Sequence, residues 1–273
     1  MTMARTILIA AVLLLISGAA LRCESGGSKG GGSGDGTGGG EQRTSQVAGI
    51  ANIRLLPGSG GVTVRHAPGG GGQVEQRVQR WDGAPPPPGD QLYHRVEGKT
   101  LVLDTDCGQN CSVDFDVTLP DQVAITGELG AGSLDVTGMA SVRAEVGSGS
   151  VDVRQIDGPL DVRTGSGGVR LDDLGGTVAV ETSSGGIEGR NLRGGEVTAK
   201  TGSGQIELGL LAPGSVQADS GSGGIELVVP QNTYRVEVET GVGESRIDVP
   251  QDPSSPRRLR LSTGVGSIEV RAG

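Results

Sequence analysis

From about residue 123 onward, apolar and polar residues alternate in short bursts, and the bursts recur. In the stretch that starts at Leu160, the residues Leu160, Val162, Val169 and Leu171 fall on one side and the charged residues between them on the other. Alternation of this kind is the period of a half-buried β-strand. Each burst is broken by a Gly/Ser corner. Leu160-Asp-Val-Arg-Thr-Gly-Ser-Gly-Gly-Val169 is followed by Val178-Ala-Val-Glu-Thr-Ser-Ser-Gly-Gly-Ile187, then by Val197-Thr-Ala-Lys-Thr-Gly-Ser-Gly-Gln-Ile206 and Val216-Gln-Ala-Asp-Ser-Gly-Ser-Gly-Gly-Ile225. Equivalent first strands begin at Val142, Val236 and Leu259. From Val142 the offsets are 18, 18, 19, 19, 20 and 23 residues.

A fixed period of strand, glycine corner, strand and short connector is the signature of a stacked array. The fold predicted is therefore all-β: a right-handed parallel β-solenoid (β-helix) of roughly 18–20-residue repeats. In register, Val162, Val180, Ala199 and Ala218 stack in one column. Val123-Ala-Ile125 before Gly127 reads as a looser early turn.

Residues 47–122 read as an irregular N-terminal β portion or cap, and 123–273 as the repeats. Within the former, Ile53–Leu56 and Val62–Val64 flank Pro57-Gly58-Ser59-Gly60-Gly61, an early echo of the corner. Leu101–Leu103 and Val113–Leu119 read as longer strands. Ala84 to Asp90, with four prolines, reads as a spacer loop or polyproline segment, with an SH3-type ligand as the rival.

Composition agrees with a thin layered core. There are 52 glycines, and aromatics make up 1% of the chain, so Val, Ile, Leu, Ala and Thr must fill each layer. Glycine shows no three-residue period, which excludes collagen. The net charge of -9, with no basic cluster, disfavours a nucleic-acid partner.

Residues 1–22 predict a signal peptide: Arg5 supplies the positive start, and Ile7 to Ile16 form an apolar stretch too short for a comfortable membrane span. Two processing routes compete. One is a cut after Ala20. The other is lipidation of Cys23, which is left odd if Cys107 and Cys111 pair. Arg22 departs from the small residue that a lipobox places before its cysteine. Residues 23–46 read as a Gly/Ser-rich flexible tether, with a reach of roughly 20–25 Å. The chain is thus expected to be exported, either to a bacterial cell envelope as a lipoprotein or as a secreted protein, with a membrane contact only through the lipid.

Cys107-Gly-Gln-Asn-Cys111 has too few companions for zinc, since only His66 and His94 exist, and its spacing is not the redox one. A small structural disulfide is expected.

The Thr-Gly-Ser-Gly-x-Ile/Val corners, preceded by Cys-Gly-x-x-Cys-Ser-Val-Asp and by Leu119-Pro120, resemble a bacterial family of exported β-solenoids known as the "putative adhesin" domain, a domain of unknown function. The resemblance covers roughly residues 47–273. It implies a parallel β-solenoid with a cell-surface role and brings no catalytic residues.

The chemistry agrees with a non-catalytic module. A polysaccharide-active enzyme needs clustered carboxylates in a groove, whereas here the acids are spread one per layer. Corner serines lack a histidine in the repeat and read as turn formers. The calcium-binding roll pattern fails, because its Asp slot is filled by Val151, Val169 and Ile187. Thr164, Thr182, Thr201, Thr240 and Thr263 form one column and are expected to hydrogen-bond backbone at the corner rather than bind ice. No cofactor or metal is predicted.

One candidate binding face remains. The outward position after each corner carries Asp135, Asp152, Arg170, Glu188, Glu207, Glu226, Asp248 and Glu269. If the layers are in register, Glu188, Glu207 and Glu226 are neighbours. Such an acidic face would hold a cation weakly, attract a basic partner or simply stay solvated. The predicted function is a non-catalytic envelope or surface module for adhesin-like binding or scaffolding of an envelope polysaccharide or surface protein. Its alternatives are the enzyme and a purely structural spacer. Finally, Ser267–Arg271 is expected to be the bare terminal edge. Arg257, Arg258, Arg260, Glu269 and Arg271 are expected to guard it against strand addition and keep the chain monomeric, with pairing of the edge to a second copy or a partner strand as the rival.

Overall fold

A computed structural model describes residues 41–83 and 91–273. The signal, lipidation and most of the tether expectations, and the proline loop at 84–90, lie outside the described residues.

The first strands are β1 (Glu41–Val47), β2 (Asn52–Leu56), β3 (Val62–His66) and β4 (Gly72–Arg80), then β5 (His94–Glu97), β6 (Thr100–Asp104) and β7 (Cys111–Leu119). Strands then come two per turn: β8 (Ala124–Ala131) and β9 (Leu134–Thr137), β10 (Ser141–Ser148) and β11 (Val151–Ile156), β12 (Leu160–Ser166) and β13 (Val169–Leu174). The pattern continues with β14 (Val178–Ser184) and β15 (Ile187–Leu192), β16 (Glu196–Ser203) and β17 (Ile206–Leu210), β18 (Ser215–Ser222) and β19 (Ile225–Val229). The last two turns are β20 (Arg235–Val242) with β21 (Ser245–Asp248), and β22 (Arg258–Val265) with β23 (Ile268–Ala272).

The first strand of each turn joins one long sheet and the second joins the other. Strands of successive turns pair parallel and in register: Val162 with Val180, Val180 with Ala199, Ala199 with Ala218. The predicted column is therefore real, and the fold is a β-solenoid. Inward residues such as Val162, Leu171, Ile206 and Leu227 are almost wholly buried between the two sheets.

Glycine makes the corner possible. Gly204 has φ +154°, and a Cβ there would lie 2.1 Å from the carbonyl oxygen of Gly185 in the turn before. Only a residue without a side chain allows the turns to stack this closely. The threonine column closes the same corner. Thr201 Oγ1 donates to the Gly185 carbonyl at 2.9 Å, Ser220 Oγ to Gly204 at 3.0 Å and Thr263 Oγ1 to Gly223 at 2.9 Å. Thr164, by contrast, reaches the carbonyl of Ser166 in its own turn.

Two expectations change. The final strand is not the end of the stack: β23 lies between β19 and β21, and β22 between β18 and β20. Burial explains the exchange. The last turn supplies Leu259, Leu261, Ile268 and Val270, all buried, whereas the β20/β21 turn places Ser245 against Ile268 and leaves Val236, Val238 and Ile247 half-buried. The more apolar turn occupies the inner position, and residues 249–257 carry the chain back to it. The N-terminal portion is also more regular than expected. β2 and β3 form a full turn around Gly60 (φ +143°), inserted between β8/β9 and β6/β7.

Antiparallel strands finish this end: β5 on β6, β4 on β7 and β1 on β4. Residues 41–46, placed by composition in the tether, thus belong to the sheet. The buried Gln76 ties the end together. Its Oε1 accepts from the Tyr93 amide and from His94 Nδ1, both at 3.0 Å, while its Nε2 donates to the Gln91 carbonyl. The His94 ring meets Phe115 edge-on, and burial holds its pKa below the ordinary histidine value.

Candidate functional site

The corner fixes where each outward side chain falls. The first outward residue after the corner forms a continuous column on the sheet that contains β9 and β11. Asp135, Asp152, Arg170, Glu188, Glu207, Glu226 and Glu269 are neighbours in that order. Asp248 is not among them. Arg246 holds the column position beside Glu269, and Asp248 lies one outward step further, beside Arg271. The cause is Ser245, which takes the inward slot filled by Ile268 in the neighbouring turn, so the outward sequence there begins with arginine.

The column is less bare than the acids alone suggest, because a second outward column runs beside it. Asp152 accepts from Arg154 at 3.0 Å, Arg190 pairs with Glu188, and Arg271 reaches Glu226 at 3.0 Å. Arg170 lies between Asp152 and Glu188, at 3.9 and 3.7 Å. The signal for these partners was in the sequence. Asp152-x-Arg154 and Glu188-x-Arg190 place acid and base on the same face of one strand. Glu207 differs: its same-strand neighbour on that face is Gly209, and among the described residues it has no ion pair. Asp135 sits at the other end of the run, where burial, and then the nearby Asp152 charge, push its pKa above the ordinary carboxylate value.

Between the two columns lies a shallow, charged groove. One part of it, about 280 Å³, is lined by Asp152, Arg154, Arg170, Asp172, Glu188 and Arg190. It continues between Glu188 and Arg190 to Glu207, Gly209, Val228 and Arg271, while a second depression flanks the acidic column on its corner side, at Gly168, Gly186 and Gln205. The opposite sheet carries a different pattern. There Glu145, Arg163, Glu181, Lys200 and Asp219 alternate in sign along one row, which cancels charge locally.

Among the described residues no group of His, Cys, Asp and Glu is arranged to hold a metal ion. His66, the last residue of β3, has its Nε2 3.0 Å from the Pro120 carbonyl oxygen. Cys107 and Cys111 form a disulfide, closing a tight loop in which Asn110 has φ +57°.

Parallel turns stacked in register about glycine corners define a repeat β-solenoid. The chain belongs to the Toastrack DUF4097 family, whose profile matches residues 89–271. It is similar to the crystal structure of a "putative adhesin" from Bacteroides fragilis NCTC 9343, with 18% identity, a TM-score of 0.47 and coverage of 86% of this chain and 98% of that one. It is similar also to a "putative adhesin" from Parabacteroides merdae ATCC 43184, with 10% identity, a TM-score of 0.40 and coverage of 86% and 98%. A "putative cell adhesion protein" from Clostridium sporogenes ATCC 15579 matches with 14% identity, a TM-score of 0.30 and coverage of 86% and 100%. No curated protein matches the chain.

Proposed function

We propose that the chain is an exported, non-catalytic surface module that binds or scaffolds a partner through the charged groove of the β9–β11 sheet. The observation that carries this reading is the continuity of the groove, which runs across successive turns from Asp152 to Arg271. A rigid, shallow track with regularly spaced donors and acceptors suits an extended ligand, either an envelope polysaccharide or a surface protein with basic groups facing Glu207. The acids are distributed along the track rather than converging on one bond, which favours binding over hydrolysis.

Glycan arrays and pull-downs from envelope fractions test the reading, using the wild type beside Arg170→Ala and Glu207→Lys. Binding that is lost in either variant supports the groove. Binding unchanged by both moves the site elsewhere, and no binding leaves a spacer. Release of sugar from any polysaccharide would replace the reading with an enzyme. The acidic column is tested separately by melting with and without millimolar calcium. If neither wild type nor Glu207→Gln shifts, the column is solvated and holds no cation. Export and anchoring are read from the intact mass of the mature chain: a lipid adduct on Cys23 supports an anchor, and a free Leu21 start excludes it.

A further inference from the structure

The two ends of the stack are finished differently. At one, antiparallel strands and the Gln76 knot cover the last parallel turn. At the other, among the described residues, β20 pairs only with β22 and β21 only with β23; Gln251 bridges Tyr234 just before β20, and from Val236 onward the outer edge of backbone is unpaired. The edge strand is long and carries none of the usual protections on its inner side: no proline, no bulge and no inward charge. Val236, Val238 and Ile247 are half-buried where their equivalents one turn in, Leu259, Leu261 and Val270, are at most 1% exposed. The corner ridge changes character there too. Positions held by Ser203 and Ser222 become Val265 and Val242, which are 54% and 67% exposed. The arginines expected to guard the end lie on the inner turn instead.

We propose that this end is an interface with a second copy of the chain, formed by antiparallel pairing of β20 with β20 about a two-fold axis. The proposal does not depend on what the groove binds. Charge selects the occupant and the register. Glu239 ends the row that runs through Arg163, Glu181, Lys200 and Asp219, set off from Asp219 by Ser262, and it has no cation among the described residues; among them Arg235 is ion-paired with Glu237 alone, at 3.1 Å. Antiparallel pairing keeps inward residues opposite inward residues. With Val236 opposite Val238 of the second copy, Arg235 faces Glu239 twice, once on each side of the axis. Glu237 then meets its own copy, but each Glu237 carboxylate already has Arg235 and Arg260 beside it. One register step one way, with Val238 opposite itself, Glu237 faces Glu239 twice and Arg235 faces Gly241, which repels; one step the other way, with Val236 opposite itself, Arg235 faces Glu237, already its own partner, and Glu239 faces Thr233 and stays unpaired. A two-fold pair closes and leaves no further open end of this kind.

Sedimentation of the mature chain over a range from low to high micromolar tests the proposal. The wild type is expected to shift from monomer to dimer within it. Arg235→Glu and Glu239→Arg are each expected to weaken the dimer about tenfold, and the double variant Arg235→Glu/Glu239→Arg to restore it. Val238→Lys is expected to abolish it. Melting curves confirm that the two charge variants, both on the outward face, remain folded. A wild type that is monomeric throughout overturns the proposal. So do single charge reversals without effect, or a double variant no better than the singles.

Discussion

Gly204 illustrates how far one missing side chain reaches. Its φ of +154°, and the 2.1 Å that would separate an added Cβ from the Gly185 carbonyl oxygen, leave a methyl group nowhere to go, since the obstacle is the backbone of the preceding turn. Gly204→Ala is expected to destabilise the fold by on the order of 3 kcal/mol or more, combining backbone strain with separation of two turns; urea unfolding measures it. The neighbouring hydroxyl column gives a finer comparison. Thr201 donates to that same carbonyl, whereas in the end turn Thr240 Oγ1 is buried without a hydrogen-bond partner. Replacing Thr201 by Val leaves the carbonyl short of a donor and is expected to cost about 1 kcal/mol. Thr240→Val removes an unsatisfied hydroxyl and is expected to be neutral or stabilising. Equal losses in the two variants would refute the assignment of the column as a corner brace.

At the scale of strands, register turns sequence neighbours eighteen or nineteen apart into contacts, and charge is then sorted along the ladder. Glu207 sits between Glu188 and Glu226, each of which has an arginine, and has none itself. Glu207→Gln is therefore expected to raise stability by about 0.2–1 kcal/mol at low salt, and the gain is expected to shrink at high salt as the repulsion is screened. Paired melts at two ionic strengths check this. The capping strands carry a second titration. Because burial lowers the pKa of His94, the fold favours its neutral form. That stability is present above the ordinary histidine value, about 6.5, and is lost as pH falls through and below it. Between pH about 7.5 and 5.5, the wild type is expected to lose stability that His94→Asn retains; a parallel decline in both would remove His94 as the cause. Much of this level could be read from the chain. Alternation gave the strands, and Gly/Ser runs gave the corners, because few residues satisfy either constraint. The arginine partners were also legible, as i, i+2 pairs on one strand face. Asp248 was misplaced because a short strand can begin one inward position early without disturbing the alternation.

For the whole molecule, the order of turns was not in the sequence. Every turn presents the same corner and the same alternation, so local pattern cannot say which turn neighbours which. What decides is relative burial, and that depends on all the turns at once: Leu259, Leu261, Ile268 and Val270 are drawn inside, while Val236 and Ile247 are left at the end. The same holds at the other end, where β2/β3 lies between turns that follow it in the chain.

That exchange of neighbours governs the order in which the molecule can assemble. In the middle, each turn finds its partner 18 or 19 residues away, as Val162 finds Val180 and Val180 finds Ala199. At the ends the closures are much longer: Asn52 pairs with Ala124 and Ser215 with Arg258. Nascent chain emerging in sequence cannot wind the coil like thread on a bobbin, since β20/β21 is made before the β22/β23 turn it pairs with. Local closures come early and long ones late, so the central turns are the natural nucleus and both ends must wait. Val180→Ala is expected to slow refolding, and Leu261→Ala chiefly to speed unfolding; stopped-flow measurements on the two variants separate the cases. During the wait, the unpaired β20 strand and the apolar face of β18 and β19 are both exposed. Synthesis thus passes through an interval in which the coil has a gap that only its own last turn fits.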